Sequence, residues 1–178
     1  MTVNEVFQFA NLSPSGPVPW GTHMPDDPPE LRPGVYVVAR AGDPTGGCNP
    51  CELLLKDHPG IVLDLEYEQK RWLPHEPIAY VGKTDRSIRK RVAEFRRQEC
   101  GQPGSHYGGQ IIKLLQCNLW IYWSPANDPS EAESDMLCAF KRHTGQLPFG
   151  NEYQGANHKR IRVTNRSSDS SGTAFEST

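Results

Sequence analysis

The chain has 178 residues, within the roughly 100–200 typical of one domain. Hydrophobic residues make up 36%, enough for one modest core. A net charge of −2 argues against a protein that coats nucleic acid through bulk charge, while leaving room for a local basic face. The apolar, charge-free stretch 114–127 is shorter than the roughly 20 apolar residues that span a bilayer. Five cysteines suit a reducing compartment better than a disulfide scaffold. With neither a basic n-region nor an apolar h-region in MTVNEVFQFANL, the expectation is a cytoplasmic protein with no membrane partner.

Residues 1–33 read as an irregular head, because Pro14, Pro17, Pro19, Pro25, Pro28, Pro29 and Pro33 interrupt regular structure. GVYVVAR at 34–40 is β-branched and aromatic and predicts a buried strand. Residues 42–76 read as an insertion, with a CNPC turn, a charged run DLEYEQKR and room for a short strand or helix. IAYVG at 78–82 predicts a second strand. A helix is expected over 86–98, capped by Asp85 or Ser87, with Ile88, Val92 and Phe95 as its apolar stripe. After the loop GQPGSHYGG come a short helix near 110–116 and a third strand, LWIYW, at 119–123. The last helix has the clearest ends: Asp128 as N-cap, Pro129 at N1, Glu131 at N3 for a capping box, and Gly145 as its stop. From 154 to 178 the chain is polar and Ser-rich, which predicts a disordered tail.

Along this frame GVY occurs at 34–36 and YVGK at 80–83. Arg91 falls in the first long helix, Glu133 in the last, and Asn151 in LPFGN after it. In this order, over residues 33–151, the constellation resembles the GIY-YIG nuclease superfamily. The resemblance implies a small α/β (α+β) fold at 34–153, with a three-stranded antiparallel sheet flanked by helices and an insertion between the first two strands. It implies Tyr36 and Tyr80 on neighbouring strands, Arg91 as the arginine, Glu133 as the single metal-binding glutamate, and Asn151 as the asparagine after the last helix. Two departures stand out. The stretch from YVGK to Arg91 is one residue longer than the commonest spacing, which leaves Arg89 as a rival. Phe95 stands where many members carry His or Tyr one turn after the arginine, and His106 could take that role from the next loop.

The residue types fit phosphodiester hydrolysis, which needs an activated water, a counter-charge for the pentavalent phosphate and stabilisation of the leaving 3′ oxygen. One carboxylate suits a single Mg²⁺ (or Mn²⁺) that keeps several waters. A tyrosine with pKa about 10 is a poor base at neutral pH; Lys83 and Arg91 beside it, with the metal, are expected to lower that value. Gly34 and Gly82 are expected to leave room for close approach of DNA. Helical spacing puts Glu133 on the apolar face with Met136, Leu137 and Phe140, whereas Glu131 lies on the opposite face with Asp135, Cys138 and Arg142. A carboxylate on a core-facing stripe is costly without a cation, which favours Glu133 over Glu131.

Arg91 and Arg96 both border the Ile88 stripe, so spacing alone does not separate them. The tyrosines could be ordinary half-buried strand aromatics, and Asn151 could simply cap a turn. Arg86, Arg89, Lys90, Arg96 and Arg97 give the 83–97 segment a basic excess suited to phosphate contacts, although a solvated helix face has the same composition. Cys48 and Cys51 form a CxxC pair without the strand–helix setting of a thioredoxin-like site, and the nearest further zinc ligands, His58 and His75, lack motif spacing. The expectation is therefore a metal-dependent DNA endonuclease without a small-molecule cofactor, restriction- or repair-like, with a homodimer as the simplest way to cut both strands. The alternatives are a non-catalytic DNA-binding module of the same fold and a partner-docking protein using the head and insertion. Which tyrosine is the base stays open.

Overall fold

A computed structural model describes residues 1–22, 33–58, 61–97, 107–151 and 161–163. The elements in chain order are α1 (Val3–Phe9), β1 (Ser15–Pro19), β2 (Gly34–Ala39), β3 (Ile61–Leu63), α2 (Leu65–Arg71), β4 (Ile78–Thr84), α3 (Ile88–Arg97), α4 (Tyr107–Leu114), β5 (Trp120–Pro125), α5 (Pro129–Thr144) and β6 (Ile161–Val163). The fold is α+β. Its main sheet is antiparallel with order β1-β5-β2-β4, so it has four strands rather than the three expected.

β2 lies inside the sheet, bonded to β4 on one side and β5 on the other. All six of its residues are buried, because both faces of the sheet are covered; that is why this segment has no polar alternation. Val35, Val37 and Ala39 face a core built with α1 and α5, including Phe7, Met136 and Phe140. Tyr36 and Val38 face the opposite core, with Ile88, Val92 and Phe95 of α3 and Ile111 and Ile112 of α4. The stripe at Ile88, Val92 and Phe95 is the buried face of α3, as its spacing predicts.

The head is not irregular where it is described. Thr2 and Glu5 form a reciprocal capping box on α1, and Val3, Val6 and Phe7 are fully buried. A seven-residue helix is marginal alone, and tertiary packing of its apolar face holds it. β1 carries Pro17 and Pro19 yet pairs with β5, placing Val18 opposite Ile121. Prolines are tolerated there because β1 is an edge strand that need not donate on its outer side.

The insertion supplies β3 and α2, and the polar tail supplies β6, which pairs with β3 from Ile61↔Val163 to Leu63↔Ile161. Three tail residues are thus a strand; the rest of the tail lies outside the described residues. Ser87 is the cap of α3: Lys90 N donates to Ser87 Oγ at 3.4 Å and Arg91 N to Ser87 O at 3.0 Å. α5 begins and ends where expected, with the Asp128 carboxylate accepting from Ser130 N and Glu131 N at 2.9 and 3.0 Å, so the cap is Asp128's alone rather than the expected capping box with Glu131. Its stop, Gly145, has φ +83°, in the left-handed region glycine favours. Among the described residues, no helix is long and apolar enough to cross a membrane.

Candidate active site

Register brings the two motif segments together. Tyr36 on β2 sits opposite Gly82 on β4, two residues beyond Tyr80. Alternation along β4 points Tyr80 and Gly82 to the same face as Tyr36. The tyrosine rings lie with centroids 5.9 Å apart, and Phe95 completes the group, 5.4 Å from Tyr80 and 6.2 Å from Tyr36. Phe95 is therefore the floor under both tyrosines, a packing role that a histidine there would not fill as well. A Cβ at position 82 would come within 2.6 Å of the Tyr80 ring, 2.7 Å of Tyr36 Cζ and 2.8 Å of Tyr36 Oη. The expected opening for DNA at Gly82 is thus filled by the chain's own phenols. Gly34 is filled likewise, by the Ser124 carbonyl, Ile88 and Pro125.

The Tyr36 hydroxyl is buried with no hydrogen-bond partner. Burial raises its pKa above the usual 10; the Arg91 guanidinium opposes this most, then the Tyr80 hydroxyl, while Glu133 pushes it further up. Tyr80 is raised well above its usual value by burial and then by Tyr36 and Glu133, against Arg91. Arg91 acts on both phenols in the expected direction, but in the chain alone desolvation outweighs it.

Arg91 on α3 is the arginine that reaches this group, acting on Tyr36, Tyr80 and Glu133. Arg89 is exposed. Arg96 is turned to the head instead, donating to the Thr22 and Pro19 carbonyls and lying over the Trp20 ring. Arg86 is exposed and pairs with Glu94 at 2.9 Å, and Lys90 and Arg97 are also exposed. Lys83, on the other face of β4, donates to Ser130 Oγ in the first turn of α5 at 2.5 Å.

Glu133 lies one turn further along α5 and is half-buried, while Glu131 is exposed, as the helical spacing predicts. Burial pushes the Glu133 carboxyl up, Lys83 and then Arg91 pull it down, and Asp85 adds repulsion. Among the described residues no three His, Cys, Asp or Glu side chains gather into a metal-binding cluster. A lone half-buried carboxylate beside an unpartnered hydroxyl is a hard oxygen donor set of the kind Mg²⁺ accepts together with water.

Asn151 has a definite task. Its Oδ1 accepts from Val81 N at 2.9 Å and its Nδ2 donates to Val81 O at 2.7 Å. Gly150 N donates to Ala79 O at 2.8 Å. The LPFGN segment therefore acts as a surrogate strand on the free edge of β4. Both polar ends of Asn151 are engaged in that clamp, which makes it a positioning residue. Two residues with no sequence signal join the site: Ser130, which holds Lys83, and Arg71 of α2, whose Nη2 donates to Asn151 O at 2.8 Å. His106 lies outside the described residues.

The chain has no significant match among family models, curated proteins or solved structures.

Proposed function

We propose that the protein is a divalent-metal-dependent DNA endonuclease of the GIY-YIG type. The observation that carries this reading is the convergence of Tyr36, Tyr80, Lys83, Arg91 and Glu133, from β2, β4, α3 and α5, into one electrostatically coupled group. Phosphodiester hydrolysis uses a proton acceptor, cations facing the phosphorane and a site for a hard metal ion. Glu133 would hold Mg²⁺ or Mn²⁺, which when bound would supply Lewis acidity to offset the charge of the scissile phosphate. Tyr36 is taken as the proton acceptor, since its buried hydroxyl has no hydrogen-bond partner among the described residues. Its full burial in the free chain means that it meets the attacking water only in the DNA complex. Arg91 offsets the negative charge that develops on the phosphorane, and Lys83, steadied by Ser130, faces it from the other side of the sheet edge.

Cleavage of supercoiled plasmid tests this directly. Metal-dependent nicking or linearisation by the native chain, lowered by about 100-fold or more in Glu133→Ala, is the expected result. Absence of cutting with Mg²⁺ and Mn²⁺, on plasmid and on branched DNA, would overturn the enzyme reading. Retained DNA affinity in that case would favour a non-catalytic DNA-binding module.

A further inference from the structure

Arg40 follows β2 directly and is only 8% exposed, so its guanidinium is a charge inside the fold. Such a charge persists only when its donors are satisfied. Its Nε and Nη2 donate to Glu76 O at 3.2 and 2.7 Å, and Nη2 also reaches Pro74 O at 2.8 Å. The group lies over the Trp72 ring, 4.7 Å from the centroid. Among the described residues no carboxylate pairs with it; the Glu76 carboxylate is engaged by the chain's amino terminus and His143. Sulfur takes the remaining places: Nη1 donates to Cys51 Sγ at 2.5 Å and Nη2 to Cys48 Sγ at 2.8 Å.

A guanidinium bonded to both sulfurs stabilises the negative charge that passes over sulfur during thiol–disulfide exchange. The two outer nitrogens belong to one rigid planar fork, so sulfurs bound to them are held side by side. Both cysteines are free and half-buried, within reach of small molecules. Both sulfurs sit on the guanidinium fork, and burial pushes the Cys48 thiol up against the pull of Arg40, which suits Cys48 to the second, resolving step.

We propose that Cys48 and Cys51 form a reversible dithiol–disulfide site oxidised by low-molecular-weight disulfides, with Arg40 as the cation that activates it. Cys51 thiolate attacks one sulfur of the small disulfide, forming a mixed disulfide and releasing one small thiolate. Cys48, giving its proton to solvent, attacks the Cys51 sulfur, closes the Cys48–Cys51 bond and releases the second thiolate. Counted from the dithiol, the protein loses two electrons and two protons, one when Cys51 ionises and one from Cys48; the small disulfide takes the two electrons, and its two thiolates take up two protons from solvent to become thiols. The site is independent of any reaction at Tyr36 and Glu133.

The test is to incubate the full reduced chain with oxidised glutathione, quench in acid, alkylate and map the peptides by mass spectrometry. The expected result is a Cys48–Cys51 linkage with loss of two hydrogens, undone by excess reduced glutathione. Cys117 is close enough to feel both thiols, so a Cys117→Ser variant is run in parallel and should oxidise alike. Persistence of both thiols, glutathione adducts without the linkage, or a linkage through Cys117 would each overturn the proposal.

Discussion

At Glu133, burial and opposite charge compete, and burial prevails. The folded chain then holds the carboxyl proton more tightly than the unfolded chain does. Stability is greatest below the unfolded carboxylate value of about 4.3 and is lost as pH rises through the higher folded value. Glu133→Gln removes the buried charge, so its Tm should exceed that of the native protein at pH 7.5, by about 2 °C, and the gap should close near pH 4. Calorimetry at the two pH values checks this; an equal gap at both would refute the burial argument. The phenols give a second test. Tyr36→Phe removes a buried hydroxyl that has no partner, so stability should hold or rise, since leaving such a group unsatisfied costs about 1–3 kcal/mol. Nicking by the variant should fall by about 10²–10⁴-fold, and by more than in Tyr80→Phe. If Tyr80→Phe is the more damaged, Tyr36 is not the base.

Among the elements, β4 carries Tyr80, Gly82 and Lys83 on an edge of the sheet, where a strand is least constrained. The clamp from Asn151 supplies the missing neighbour, and Arg71 of the insertion helix fixes that clamp from behind. Asn151→Ala should therefore cost about 1–3 kcal/mol in denaturant unfolding and speed amide exchange at Val81. An unchanged Val81 exchange rate would show that the clamp does not hold the strand. The pattern of tyrosine, glycine and lysine was legible in YVGK, but this support was not. Asn151 reads as a turn residue from its neighbours, and nothing local in DLEYEQKR shows that its last arginine reaches a loop 80 residues away.

Over the whole molecule, the exposed cations of α3 lie on the element that also carries Arg91, so phosphate contacts there would register DNA against the site. If they do, replacing Lys90 and Arg97 together by alanine should flatten the slope of log affinity against log salt by up to about 0.9 per lost contact. Titration of duplex DNA at several salt concentrations reads this out, and an unchanged slope would move the DNA interface elsewhere. The strands at 34–39 and 78–84, the stripe of α3 and the ends of α5 were written in local sequence, because periodicity and capping act over a few residues. The favoured choice of Glu133 over Glu131 came from the same source. The fourth strand and the first helix were decided by tertiary contact: a proline-bearing segment becomes a strand only beside β5, and seven residues stay helical only against the Phe140 core. Tertiary structure also separated Arg91 from Arg96, filled the gap at Gly82 with phenols and set two cysteines on one buried arginine. Each of these depends on which distant groups share a small volume and lose their water, and local sequence does not encode that.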